Sequence, residues 1–509
     1  MKVGIDVGDL NVRRETDRLV QLFLEQAQLV YAPQEDEREW NEAVVHIELR
    51  IVEHGADYEE ARAELVDRRD GQRYVEHYRK PLAVGADDKE RKKKGKSAIL
   101  HVLHEVLSRM TGDRQPWGIL SGVRPMKLVH KMREQGLETV SIRETLLSEY
   151  LISEERVDLL LEIEGHQVKA VPDLYEIERE VSIYIGIPFC PTHCAYCTFP
   201  AYSMEDKATY APAFLDAMER EFAAVGAFLR EHRIPVTSVY LGGGTPTSLL
   251  PPELTRVMEM LYREIPDSDR WREFSVEAGR PDTITPERIE VLRRYGVNRI
   301  SVNPQTYKAQ TLKVIGRGHT PDIVDKRFHL VKEAGFENIN MDTILGLPGE
   351  TVDDVRYTLE RIQALDPDSF TVHTLQFKRT AEVNKERDAY AIPETPEVRQ
   401  MMRDTQAWAR EMGYHPYYLY RSKDILGNLE NIGYAKPGKE SVYNITIMEE
   451  RQTIIGIGGG ASTKLYRQGG FLDHVYNPKE PKAYVDNIEN TIAKKIRALE
   501  AVYGFDRDL

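Results

Sequence analysis

From residue 181 onward the hydrophobic positions of the chain follow two alternating periods. Short apolar runs rich in β-branched residues fall at 181–187, 236–241, 273–277, 298–303, 338–344 and 369–375, and each reads as a buried strand. Between them, near 207–231, 251–264, 286–295, 321–334 and 351–364, apolar residues recur every three or four positions, the spacing of amphipathic helices. Strand and helix succeed one another with almost no hairpin signals, so the pattern predicts an α/β fold on a parallel sheet. Such repeats either close as a partial barrel or stay open as a doubly wound sheet. In both arrangements chemistry belongs at the carboxyl ends of the strands.

The flanks follow other patterns, which divides the chain into three parts. Residues 1–180 read as a separate N-terminal α/β module with a strand at 43–52. The charged stretch 58–69 reads as a helix, and further helices are expected at 97–110, 126–135 and 141–163. The glycines of Gly4-Ile5-Asp6-Val7-Gly8 imitate a phosphate loop, but so short a match is better read as a strand and turn. Residues 181–380 hold the strand–helix repeats. Residues 381–509 form a C-terminal α+β segment, with helices near 396–412 and 480–501 and a glycine-rich strand–turn between.

Composition narrows the function classes. The 509 residues suffice for two or three domains with proper cores, and a mean hydropathy of −0.49 is that of a soluble globular protein. The start of the chain has no apolar signal core, and no run approaches the roughly 18 apolar residues of a membrane span. A cytoplasmic location is therefore expected. A net charge of −14 makes nucleic acid an unlikely partner, because phosphate binding relies on basic surface. It also means that a polycarboxylate ligand needs a local basic patch. The basic run at 89–96 reads first as a solvated loop or helix start.

The three cysteines of the chain, Cys190, Cys194 and Cys197, fall within one short segment after the strand at 181–187. Their C-x3-C-x2-C spacing on a loop suits three thiolate ligands of a [4Fe–4S] cluster, leaving one iron open to bind and activate a small molecule. Structural zinc usually closes its shell with four ligands, and His193 is awkwardly placed to serve as the fourth. A disulfide would leave one cysteine over. Other polar residues gather at the strand ends. Gly242-Gly243-Gly244-Thr245 follows the second strand, and Glu277 ends the third. Gln305 follows the fourth, with Arg317 and His319 a short distance on. Asp342 breaks the apolar run of the fifth, which is unfavourable unless it is paired or hydrogen-bonded. Gly456-Ile457-Gly458-Gly459-Gly460-Ala461 mimics a dinucleotide fingerprint, but no strand–helix–strand unit with a later acidic residue follows.

The string Tyr184-x-x-Ile187-Pro188-Phe189-Cys190-Pro191, with Cys194, Tyr196, Cys197 and Phe199, resembles the radical S-adenosylmethionine (SAM) superfamily. Within it, the string looks like the oxygen-independent coproporphyrinogen III oxidase-like branch. The resemblance covers about residues 181–465 and favours a partial (β/α)6 barrel. It implies a [4Fe–4S] cluster on Cys190, Cys194 and Cys197, and SAM as the second cofactor. Gly243, Gly244 and Thr245 would then lie on the loop that binds the amino group of SAM. Glu277 and Gln305 would take the ribose, Arg317 the SAM carboxylate, and Asp342 and Ile344 would stand beside the molecule. Tyr184 aligns with an aromatic near the methionine part, and Tyr196 with one packed on adenine; Phe199 completes the cofactor-binding set. Tyr184 and Arg317 are the residues placed closest to the chemistry. The implied reaction draws an electron from an unidentified donor, cleaves SAM, and converts two propionates of coproporphyrinogen III to vinyls, giving protoporphyrinogen IX.

Two departures matter. Phe199 stands where oxidases of the branch carry a fourth cysteine, which puts a second SAM site in doubt. The stretch from Tyr443 to Glu450 lacks the His and Tyr-Trp of the heme-chaperone branch. The long N-terminal module points to a third, oxidase-like subgroup, generally described as coproporphyrinogen dehydrogenases. The alternatives are a heme-carrying chaperone, or a radical SAM enzyme acting on another substrate. For the substrate carboxylates, Arg280, Lys378, Arg379, Arg421 and Lys423 are the candidate cations.

Overall fold

The computed structural model describes residues 1–8, 10–32, 37–120, 122, 124–199, 201–377, 381–385, 389–422, 425–467 and 471–504. The chain divides into two compact units, Met1–Leu161 and Glu162–Leu509, so the N-terminal boundary lies at 161 and not at 180.

In the first unit, β1 (Lys2–Asp6), β2 (Gln28–Tyr31), β3 (Val45–His54), β4 (Tyr58–Asp67) and β5 (Gln72–Pro81) form one sheet in the order β2-β1-β3-β4-β5. Helices α1 (Arg13–Phe23), α2 (Glu37–Glu42) and α3 (Asp88–Thr111) accompany it. The apolar sides of α1 and α3, including Leu19, Val20, Val102 and Leu103, share a core with Val3, Ile47 and Leu65 of the sheet. The basic run is the opening of α3, where the Asp87 side chain accepts from the Glu90 amide. Residues 58–69 are strand, not helix. Ala61, Ala63 and Leu65 are buried in alternation with half-exposed charged residues, a period of two. The charged side is covered by cross-strand pairs such as Glu60 with Arg79 and Glu64 with Arg73, so sheet pairing overrides the helical preference of Glu and Ala. The helix expected at 141–163 is broken at Leu151, whose backbone is left-handed (φ +56°). The pieces are α5 (Thr139–Ser148) and α6 (Glu154–Ala170), preceded by α4 (Met126–Glu134).

The second unit is built on the strand–helix repeats. Strands β6 (Val181–Ile187), β7 (Val236–Gly243), β8 (Glu273–Glu277), β9 (Arg299–Ser301), β10 (Ile339–Leu345) and β11 (Ser369–Thr374) are neighbours in sequence order, each parallel to the next. Their crossovers are α7 (Met204–His232), α8 (Pro251–Glu264), α9 (Pro286–Arg294), α10 (Ala309–Val314) with α11 (Pro321–Glu333), and α12 (Val352–Leu365). Ile183, Ile185, Leu241 and Val276 of the strands are buried with Phe222, Met258 and Phe328 of the helices in one core. This is the partial (β/α)6 barrel. It is an open sheet, and the C-terminal segment extends both of its edges.

After the short α13 (Glu382–Lys385) and α14 (Thr395–Glu411), β12 (His415–Tyr420) and β13 (Asn431–Ala435) add antiparallel strands beyond β11. Helix α15 (Val442–Glu449) follows, and β14 (Thr453–Gly458) then pairs in parallel with β6 at the opposite edge. The glycine-rich stretch is thus a sheet strand, continued by β15 (Ser462–Arg467) and β16 (Phe471–Tyr476). Among the described residues this makes a single eleven-stranded sheet, with no division at 380. The chain ends in α16 (Pro481–Asp486) and α17 (Ile488–Tyr503). Among the described residues no helix is long and apolar enough to cross a membrane.

One buried ion pair fastens this closing segment. Glu221 of α7 and Lys495 of α17 are both fully buried and bonded to each other. Glu221 also accepts from the Gly458 amide (2.8 Å), Asn477 Nδ2 (2.9 Å) and the Tyr484 hydroxyl (2.5 Å). Removing one partner strands the other charge in the core, at a cost of about 3–5 kcal/mol, whereas replacing both is far milder. Lys495→Met alone is therefore expected to lower the urea unfolding free energy by about that amount. The double change Glu221→Gln/Lys495→Met should lose less, and simple additivity of the two single losses would contradict this account.

Candidate functional site

The loop after β6 is anchored by the backbone at both ends. The Cys190 amide donates to the Tyr202 carbonyl (3.0 Å), and the Ala195 amide to the Ile315 carbonyl (3.1 Å). Arg280 holds its middle. This guanidinium is only 3% exposed, donates to Thr192 Oγ1 (2.9 Å), and lies 3.8 Å from Cys194 Sγ. Its other nitrogens form a fork on Asp282 at 3.1 and 3.0 Å. Cys194 is buried, and Cys190 and Cys197 are half-buried. Cys190 Sγ lies 3.3 Å from Thr245 Oγ1, which ties the first thiol to the loop after β7. Burial pushes the Cys190 thiol up to about 11. Iron binding there would have to displace the proton.

The loop after β7 depends on missing side chains. A Cβ on Gly242 would fall 2.9 Å from Glu277 Oε2, and one on Gly243 (φ +105°) would fall 2.9 Å from the Ile187 carbonyl. Backbone atoms therefore face the cavity here. Directly beside this loop stands Glu277, whose carboxylate accepts from the Tyr240 hydroxyl. Burial raises Glu277 to about 7 despite that bond. Asp342 behaves oppositely. Its burial also disfavours ionisation, but hydrogen bonds from His373 and Asn340 and the His373 charge hold it below the usual carboxylate range. Asn303 Nδ2 donates to the same carboxylate (2.8 Å).

Gln305 adopts a left-handed backbone (φ +64°), an uncommon conformation for a non-glycine residue and one met at functional sites. Its Oε1 is buried without a hydrogen-bond partner, as is Arg317 Nε. Arg317 Nη2 is fixed on the carbonyls of Gly279 (2.9 Å) and Asn303 (2.5 Å). His319 is buried beside it, and burial followed by the Arg317 charge lowers its ring to about 3.

These residues share one cavity of about 350 Å³. Cys190, Cys194, Cys197, Tyr196, Phe199, Gly243, Gly244, Thr245, Glu277, Gln305, Arg317 and Asp342 all line it. Two expected residues stand just off its wall. Tyr184 stacks on Tyr240 with ring centroids 6.1 Å apart, and Ile344 is a buried residue of β10 itself, its amide bonded to the Gln305 carbonyl. Arg280 also lines the cavity, but its bonds to Asp282 and Thr192 make it a brace for the cysteine loop and not an uncommitted cation. Arg421 is buried and bonded to Asn428 (2.6 Å). Lys378, Arg379 and Lys423 lie outside the described residues. Among the lining residues that the sequence reading did not assign to the site are Tyr240, Asn303, His373, Tyr418, Tyr420, Asn444 and Met448. His373 left a signal as a polar break in the run of β11, and Asn444 and Met448 fall in the 443–450 stretch compared with the heme-chaperone branch.

The cavity suits the group its cysteines suggest. Buried acceptor and donor atoms without partners, backbone bared by glycine, and three thiols all face the same space. Among the described residues no three His, Cys, Asp or Glu side chains converge as ligands of one ion would. It is the shared lining, not convergence, that groups the thiols.

A parallel barrel with a three-cysteine loop after its first strand defines a radical SAM protein, and residues 184–362 match that superfamily. The oxygen-independent coproporphyrinogen-III oxidase-like protein HemZ of Bacillus subtilis (strain 168) is 44% identical over 99% of both chains. The heme chaperone HemW of the same organism is 31% identical, over 55% of this chain and 70% of its own. The structure of coproporphyrinogen III oxidase (HemN) from Escherichia coli matches the fold with a TM-score of 0.50 at 23% identity, covering 64% of this chain and 72% of that one. The chain belongs to the oxygen-independent coproporphyrinogen-III oxidase-like family of the radical SAM superfamily. Members of this superfamily bind a [4Fe–4S] cluster and SAM.

The raised Glu277 has a measurable consequence. Its folded value of about 7 lies above the ordinary 4.5, so ionising it opposes folding. Relative to a neutral side chain, its contribution is intact below the ordinary value and lost as pH rises through about 7. Without ligand, Glu277→Gln is expected to match the wild type near pH 4 and to be more stable by about 2–3 kcal/mol near pH 8. Thermal or urea unfolding across that range checks it, and a constant difference would refute the assignment.

Proposed function

We propose that this protein carries out the oxygen-independent oxidative decarboxylation of coproporphyrinogen III propionates to vinyl groups. The observation that carries the reading is the single cavity in which the cysteine loop, the glycine loop and the four polar strand-end residues meet. Full-length similarity to an oxidase-like protein supports the substrate class.

In this reading Cys190, Cys194 and Cys197 hold three irons. The backbone of Gly243, Gly244 and Thr245 receives the SAM amino group, and Arg317 offers its unpartnered Nε to the SAM carboxylate. Glu277 and Gln305 take the ribose hydroxyls, with Asp342 alongside, Tyr196 against adenine, and Tyr184 and Ile344 as backing. When bound, the cluster and SAM supply a one-electron route to a hydrogen-abstracting radical. The chain's task is to orient the substrate and exclude water. Tyr418, Tyr420, Asn444 and Met448 all come from the C-terminal segment, which supports its role as the part that covers the substrate.

The competing reading is a heme carrier, favoured by the likeness to HemW and by Phe199, which is 55% exposed on the cavity wall where oxidases have a cysteine. One experiment separates them. Protein reconstituted without oxygen is incubated with SAM, a reductant and coproporphyrinogen III, and the tetrapyrrole is analysed by mass spectrometry. The expected product has lost the elements of formic acid at two propionates. An unchanged tetrapyrrole with tightly retained heme would establish the carrier instead. Each of Cys190→Ala, Cys194→Ala and Cys197→Ala should abolish iron uptake, and Arg317→Ala should weaken SAM binding by about 1.5–3 kcal/mol.

A further inference from the structure

At the end of the cavity formed by β10, β11 and β12, Tyr420 and His373 stand next to Asp342, and neither is among the residues assigned to SAM. Tyr420 of β12 lies 3.1 Å from His373 Nδ1, and His373 Nε2 lies 3.7 Å from Asp342 Oδ2. All three line the cavity. The contact spans β13, which lies between β11 and β12. Gly433 of β13 makes that crossing possible for the neighbouring ring: a Cβ there would overlap Tyr418 Cε1 at 1.8 Å. Tyr418 so placed reaches Thr371 of β11 at 3.2 Å. The groups facing the His373 imidazole are Asp342 on β10, Glu277 on β8 and the phenol of Tyr420 on β12, while Tyr418 lines the same cavity with its hydroxyl on Thr371.

The protonation of His373 decides which way the Tyr420 hydroxyl points. Neutral His373, with its proton on Nε2 toward Asp342, accepts the Tyr420 proton at Nδ1. Protonated His373 donates at Nδ1, so the Tyr420 hydrogen is released toward the cavity. The same proton balances the Asp342 charge, which would otherwise repel an anion. The arginines of the cavity already have partners. Arg280 is on Asp282, Arg299 is on Asn338 (2.6 Å) and Ser369 (2.8 Å), and Arg317 Nη2 is on two carbonyls.

We propose that Tyr420, switched by His373, is the docking point for a carboxylate of the ligand. Resting on the tetrapyrrole reading above, that carboxylate is a propionate of the macrocycle. A neutral imidazole presents no free hydrogen there, and an imidazolium presents one. Binding therefore tightens when His373 carries the proton.

The test uses the anaerobically reconstituted full chain, titrated with coproporphyrin III and with its tetramethyl ester, followed by porphyrin absorbance between about pH 8 and pH 6. The wild type is expected to bind the free acid about tenfold more tightly at the lower pH, the scale of one hydrogen bond to a charged group, with no such change for the ester. Tyr420→Phe removes only the hydroxyl and should remove the part of the pH dependence that comes from this contact, leaving the part that Glu277 contributes. His373→Gln keeps a hydrogen-bonding group that cannot titrate, and should flatten the profile to the same extent as Tyr420→Phe. If both variants keep the wild-type pH profile, or if acid and ester bind alike, the docking point is overturned while the tetrapyrrole reading stands. If the wild type binds neither porphyrin, both fall together.

Discussion

The buried Arg280 guanidinium is the contact on which the site depends. A loop bearing three thiols is a poor structural element, with few apolar contacts of its own and a strong demand on geometry. Arg280 supplies what the loop lacks. From the end of β8 it reaches Thr192 and approaches Cys194, while Asp282 balances its charge from the following turn. The planar fork allows two aligned bonds to the carboxylate and still leaves donors for the loop. Since Asp282 and Arg280 belong to the barrel frame, the positions of the thiols are referred to the strand ends and not to the loop's own stiffness. The Ala195–Ile315 and Cys190–Tyr202 backbone bonds extend the same principle to its two ends.

The remaining architecture serves the same purpose at larger scale. Six parallel strands aim Gly243, Glu277, Gln305 and Asp342 into one cavity, and the C-terminal segment closes both flanks of the sheet. On one side β14 covers the free edge of β6, secured by Glu221 and Lys495. On the other, β13 and β12 carry aromatic and polar side chains inward. The frame that carries the cysteine loop and the wall that faces the ligand are thus parts of one sheet.

Much of this was legible in the sequence where a pattern is local. The period-two and period-three-to-four runs marked the barrel strands and helices, and the cysteine spacing marked the loop. Breaks in apolar strands marked Glu277 and Asp342. What stayed hidden was decided by partners distant in sequence. β4 reads as a helix because Glu, Ala and Arg favour one, and only its cross-strand pairs make it a strand. Arg280 is an ordinary strand-end cation until Asp282 and Thr192 are seen to occupy it. The Tyr420–His373 contact joins strands with a third between them, and no spacing along the chain encodes that.

The pairing of β14 with β6 also sets an order of events during synthesis. β6, the strand that leads into the cysteine loop, emerges early, and β7 can join it soon afterwards. Its other edge has no neighbour until residues 453–458 have left the ribosome. Long-range parallel pairing forms slowly, and an uncovered edge is open to wrong partners in the meantime. The finished cavity, with its wall from β12 and α15, therefore exists only once almost the whole chain is made. A cluster held on the cysteine loop would accordingly be enclosed only after that wall has formed.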